Sequence, residues 1–234
     1  MPRSGRVLAL TGLVLLGIYL AGFLPSNPEE PHDIALPVTD APPGGLRIVV
    51  FGTSLSARAT WPEAVRARLS TCTGLTVTVE RIAKPGAGST WGQSQSAAVL
   101  AMRPDLVIME FAMNDADLID GLAPGNSRRA TRQIVDTLRT DNPDLPILLL
   151  TTNPVAGLAT LKRPLLPLYY QSYSAVAADA KIGLFDAYDR WLMHNDWQAE
   201  LPDGVHPDPT AESNLLAAPI SAMIATGFGQ TCSP

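Results

Sequence analysis

From residue 46 onward, short apolar runs alternate with longer stretches of helical periodicity. Residues 46–51 (LRIVVF), 106–111 (LVIMEF) and 146–150 (PILLL) have strand length and predict buried strands. Residues 75–82 alternate apolar side chains with threonine and charge, which predicts an edge strand, and 182–185 predict a short fifth. Between these runs the pattern predicts helices over 60–70, 89–102, 126–140, 165–180 and 208–225. Thr60 and Glu63 read as a capping box with Pro62 in the first turn, and Asp208-Pro209 opens the last helix. Ile134, Val135 and Leu138 share one face of the third helix, and Tyr169, Tyr170 and Tyr173 recur at helical spacing in the fourth.

Strict β–α alternation with crossovers of this length predicts a parallel sheet between two helical layers. The expected architecture is a three-layer α/β/α sandwich with a flavodoxin-like five-stranded parallel sheet in the order 2-1-3-4-5. Sites in such sheets form outside the carboxyl ends of the strands. The first and last helices then share a face and both run to the opposite rim. Cys72 and Cys232, the only two cysteines, lie just beyond those two ends and are expected to pair. Two buried free thiols are the alternative.

Before residue 46 the pattern changes. Arg3 and Arg6 precede an uncharged apolar run over 7–24, which at roughly 1.5 Å per residue just spans a hydrocarbon core of roughly 30 Å. Residues 1–25 are therefore expected to be a signal peptide or a membrane anchor. No clean A-x-A site follows, which favours the anchor, and the basic flank before the run orients the remainder outward. Six prolines between 25 and 43, then Gly44-Gly45, predict an extended, poorly ordered linker over 26–45, with His32 a bystander within it. The rest, 46–234, is the expected catalytic domain. The expected location is exported, periplasmic or at the cell surface, with residues 7–24 in the inner membrane where the segment is retained. The net charge of −5 gives no basic face for nucleic acid.

Chemistry concentrates where predicted strands end. Ser54 follows the first strand, in Gly52-Thr53-Ser54-Leu55-Ser56, with Ser56 as a rival hydroxyl. A serine hydroxyl needs an adjacent base to become a nucleophile. His206 is the candidate base: Pro207 keeps it out of helical geometry, and Asp203, three residues earlier, can accept its Nδ1 proton. Asn114, after the third strand, is the candidate oxyanion donor, with the backbone N–H groups of Ser54 and Gly88 beside it. Asp115 reads as a loop cap. Arg128, Arg129 and Arg132 read as a solvated face, with an anionic substrate group as the alternative, and Trp91 and Trp197 as pocket lining or core. There is no H-E-x-x-H and no P-loop, and Gly86-Ala87-Gly88 lacks the third glycine of a dinucleotide turn.

These four segments resemble the SGNH (GDSL-type) hydrolase superfamily, named for Ser, Gly, Asn and His in four blocks. They match Ser54, Gly88, Asn114 and the pair Asp203 with His206, in order and spacing, over about residues 46–228. Two positions depart: Thr53 stands where the family has Asp, and Ala112 where the third block begins with Gly. Neither removes a catalytic atom. The resemblance implies esterase, lipase, thioesterase or carbohydrate-deacetylase activity with no metal and no cofactor. The expected substrate is a small-molecule or carbohydrate ester of a small acyl group, such as acetyl on an envelope carbohydrate. The alternatives are an O-acyltransferase using the same acyl-enzyme, and a non-catalytic binding protein on the same fold.

Overall fold

A computed structural model describes residues 30–232. In chain order its elements are β1 (Leu46–Gly52), α1 (Ser54–Ala57), α2 (Trp61–Thr73), β2 (Val77–Ala83), α3 (Ser89–Ala101), β3 (Leu106–Met109) and α4 (Ala112–Asp115). There follow α5 (Pro124–Leu138), β4 (Ile147–Leu150), α6 (Ala159–Lys162), α7 (Leu166–Ala180), β5 (Gly183–Phe185), α8 (Ala187–Met193), a 3-10 turn (Trp197–Glu200) and α9 (Pro209–Gly227). All five strands are parallel, in the order β2-β1-β3-β4-β5. The predicted sandwich and strand order are those observed.

The central strands are apolar throughout because both faces are covered. Val49, Phe51, Val107, Met109, Ile147 and Leu149 point to a layer formed by α3, α5 and α7. Their neighbours Ile48, Val50, Leu106, Ile108, Leu148 and Leu150 point the other way, onto Trp61 and Leu69 of α2 and Ile220 and Ile224 of α9. The period of two along each strand thus sends alternate side chains into two separate cores. As expected, α2 and α9 lie side by side, and Cys72 and Cys232 form a disulfide with Cα atoms 5.3 Å apart.

Two local expectations are corrected. Thr60 makes no capping bond: its hydroxyl donates to Pro209 O at 2.9 Å and pairs with Ser213 Oγ at 2.8 Å, tying α2 to α9. Glu63 meets Arg66 and Arg81 instead of closing a capping box. The second correction concerns the proline-rich stretch. Residues 30–45 are extended, but they are packed against the domain. Ile34 exchanges both backbone hydrogen bonds with Leu184 at 2.9 Å, running antiparallel to β5, and so covers that edge of the sheet. Leu36 is buried over Gly183 and Gly227, and Asp33 forms a two-pronged ion pair with Arg190 at 2.7 and 2.9 Å. The backbone of His32 anchors the strap, its N–H donating to Asp186 Oδ2 at 3.0 Å.

Among residues 30–232 no helix is long and apolar enough to cross a membrane. The apolar run over 7–24 lies outside the described residues.

Candidate active site

The turn that carries Ser54 is built on a buried acid. Strand β1 ends at Gly52, and the chain turns at once into the single-turn helix α1, whose cap is Thr53: its hydroxyl accepts from the Leu55 N–H at 3.1 Å. Thr53 is fully buried. Its N–H donates to Glu110 Oε1 at 2.6 Å and its hydroxyl to Glu110 Oε2 at 3.0 Å. Ser56 Oγ donates to the same Oε1 at 2.7 Å. The rival hydroxyl is thus committed to the interior, and Ser54 is left facing the rim. Burial pushes the Glu110 carboxyl up to about 7 despite these three donors. From the opposite side, Arg81 Nη1 on β2 donates to the carbonyls of Ser56 and Ala59 at 3.0 and 2.9 Å, closing the end of the turn. Neither Glu110 nor Arg81 stood out in the sequence. A lone acid at the end of an apolar run was the available signal.

The loop before α9 presents the imidazole. Its start is fixed by Gly204, with φ of +79°, where a side chain would come within 2.4 Å of the Ala156 carbonyl. Asp203 Oδ1 accepts from the N–H groups of Val205 and His206 at 2.9 and 2.7 Å, and Oδ2 lies 2.7 Å from His206 Nδ1. Burial opposes the charge on Asp203, but these bonds outweigh it and draw its carboxyl down to about 2. His206 Nε2 lies 2.8 Å from Ser54 Oγ. Asn153, three residues beyond β4, donates to Val205 O at 2.7 Å and steadies the loop. This is a further residue that spacing alone did not reveal.

The third segment follows β3. Tyr173 of α7, buried, accepts the N–H groups of Phe111 and Ala112 on its hydroxyl at 2.7 and 3.1 Å, fixing the start of α4. Asn114 Nδ2 then donates to Ala87 O at 2.9 Å, which joins it to the turn carrying Gly88. Asp115 caps as expected, accepting from Ser89 N–H at 2.8 Å and Ser127 Oγ at 2.6 Å. Burial pushes its carboxyl up. Gly88 packs directly on it: a Cβ there would stand 2.5 Å from Asp115 Oδ1. Among the described residues, the N–H groups of Ser54 and Gly88 have no hydrogen-bond partner, so both can donate to a ligand.

Two clefts open along this rim. One, of about 180 Å³, is lined by Ser54, Arg58, Asp203, His206 and Glu212. The other, of about 290 Å³, is lined by Gly88, Asn114, Asp115, Asp117 and Arg163. Burial and the neighbouring Glu110 push the Glu212 carboxyl up to about 8, so at neutral pH it is largely uncharged. Trp91 packs at tilted and edge-on angles against Phe51 and Phe111, and Trp197 packs on the α2–α9 side, so both serve the core. Arg128 and Arg132 are paired with Asp179 and Asp136 on the surface, as a solvated face should be. His32, Asp186 and Asp189 place one donor atom each within 4.8 Å of one another. Asp186 is already occupied, however, by the His32 N–H, the Thr151 hydroxyl and the Asp189 N–H.

A hydroxyl, an imidazole and a carboxylate in series, with a carboxamide and two open N–H groups on the same rim, can generate an alkoxide nucleophile and receive an oxyanion. Comparison with known proteins agrees. The model of the GDSL-like lipase/acylhydrolase family matches residues 48–212. No curated protein matches the chain in sequence. Among solved structures, the lipase/acylhydrolase from Enterococcus faecalis is similar at 20% identity and a TM-score of 0.65, covering 75% of this chain and 95% of its own. TesA is similar at 26% identity and a TM-score of 0.58, covering 73% and 93%. AlinE4, an SGNH-hydrolase family esterase, is similar at 22% identity and a TM-score of 0.55, covering 78% and 96%. With the family model spanning most of the domain, the chain belongs to the GDSL-like lipase/acylhydrolase family and is an SGNH-type hydrolase of ester bonds.

Proposed function

We propose that this protein is an exported serine esterase that removes a small acyl group, with acetyl on an envelope carbohydrate as the expected substrate. In this reading Ser54 attacks the ester carbonyl while His206 takes its proton through Nε2. Asp203 holds the ring by Nδ1 and stabilises the imidazolium. The tetrahedral oxyanion is received by Asn114 Nδ2 and the N–H groups of Ser54 and Gly88. His206 then returns its proton to the leaving alcohol, and a water activated by the same imidazole releases the acid. No cofactor enters the cycle.

The observation that carries this reading is the unbroken series from Asp203 Oδ2 through the imidazole to Ser54 Oγ, with contacts of 2.7 and 2.8 Å. The small cleft at Ser54 suits a short acyl group. The disulfide and the apolar N-terminal run support export, because such a bridge persists in oxidising compartments. The full chain should hydrolyse p-nitrophenyl acetate, and Ser54→Ala should abolish turnover. Asn114→Ala should lower kcat by roughly 10²–10³ with little change in KM, because its donor acts mainly on the transition state. Undiminished turnover by Ser54→Ala would remove Ser54 from its role.

A further inference from the structure

We propose that the catalytic rim docks on a lipid bilayer, so that the ester reaching Ser54 is one carried at the membrane interface, such as a short acyl group on a lipid-linked alcohol. The substrate part of this proposal rests on the esterase reading above; the docking part does not.

The first observation is where exposed apolar side chains gather. Of the eight large ones among the described residues, six lie on the segments that follow β3 and β4: Leu118, Ile119, Leu158, Leu161, Leu165 and Leu168. Ile119 is 76% exposed and Leu158 82%. The two segments are joined to each other. Leu118 N–H donates to Lys162 O at 2.8 Å, and Arg163 bonds Met113 O at 2.9 Å and pairs with Asp117. They also border the chemistry: Asn114 begins the first, and Ala156 N–H donates to Gly204 O, in the turn before His206. Single exposed leucines are ordinary on a protein surface, but a group of them confined to one rim marks an interaction site.

The second observation identifies the partner. The strap runs antiparallel to β5, from His32 at Asp186, beyond the carboxyl end of that strand, to Leu36 over Gly183 at its amino end. Coming from the N-terminus, the chain therefore reaches the domain at the catalytic rim. Only five residues separate Leu24, the last of the apolar run, from Glu30. Fully extended they reach at most roughly 18 Å. A bilayer that holds residues 7–24 is thus tethered closely to this rim, and the apolar side chains of the two segments are the groups it would meet. Leucine and isoleucine at such a boundary partition into the headgroup–acyl region, as on proteins that lie on membranes.

The test uses the full chain reconstituted into phosphatidylcholine vesicles. Ile119→Trp and Leu158→Trp should each add emission that bromine-labelled acyl chains quench. Val38→Trp, next to Thr39, whose N–H donates to Gly227 O at the far rim, should add emission that they do not quench. The double variant Ile119→Asp with Leu158→Asp should lose at least tenfold on an acetyl ester borne by a bilayer-embedded lipid and keep its rate on p-nitrophenyl acetate in solution. Failure of the chain to float with vesicles, quenching equal at both rims, or unchanged turnover of the bilayer-borne ester would overturn docking. So would shielding of the new tryptophans by self-association without lipid, which would assign the face to a second copy of the chain. Quenching of the tryptophans in Ile119→Trp and Leu158→Trp, together with a wild-type chain that hydrolyses neither ester, would instead overturn the esterase reading alone.

Discussion

At the residue scale, the buried Glu110 organises the turn that carries Ser54, in a chain with Thr53 where the family has Asp. Thr53 brings a hydroxyl and an N–H to an acid reached across the sheet, 57 positions along the chain. Removing that acid strands three buried donors, on Thr53 and Ser56. Each orphaned donor costs about 1–3 kcal/mol, so Glu110→Ala should lower unfolding stability by about 3 kcal/mol or more in urea titration. Ser56→Ala, which orphans none of them, should cost about 1 kcal/mol. Glu212 makes a prediction of opposite sense. Its carboxyl ionises near 4.5 when unfolded and near 8 when folded, so the folded state holds a proton that the unfolded state has released. Stability conferred by the neutral acid is complete below pH 4.5 and is lost as pH rises through 8. Glu212→Gln should therefore raise Tm at pH 9 and leave it nearly unchanged at pH 4. An equal shift at both would contradict the assignment.

Elements differ in how openly the sequence declares them. The strands were legible because both faces are buried, leaving runs such as 147–150 with no polar residue. The ends of helices were legible where a local residue makes the cap, as Asp208 does for α9 through the N–H groups of Thr210 and Ala211. Thr60 looked the same in sequence but is claimed by Ser213 and Pro209, partners about 150 positions away. The strap was hidden for a related reason. Its prolines signal a spacer, and the alternation of Ile34 and Leu36 is too short to register as a strand. Its anchoring is nonetheless apolar: Leu36→Ala should cost about 2–5 kcal/mol, as core truncations do, whereas Asp33→Asn, which breaks a partly exposed ion pair, should cost about 1 kcal/mol or less. Chemical unfolding of the two variants separates these outcomes.

For the whole molecule, topology brings four distant segments to one rim and sends two cysteines to the other. The candidate constellation was readable before the fold because each member stands at a turn next to a strand or helix end. Asn153, Tyr173 and Arg81, which hold those turns in place, were not, because their contacts exist only after the layers pack. The disulfide joins ends 160 positions apart, so reduction should lower stability by up to about 5 kcal/mol. Alkylation of both thiols without reductant would contradict the bridge. The central claim is that one hydroxyl is activated by one imidazole. Reaction of the full chain with a fluorophosphonate, followed by peptide mass spectrometry, tests it most directly. The account predicts one adduct per chain, on Ser54, formed in step with loss of p-nitrophenyl acetate hydrolysis and absent from His206→Ala. An adduct on Ser56 or elsewhere, or full activity in a chain labelled at Ser54, would contradict it.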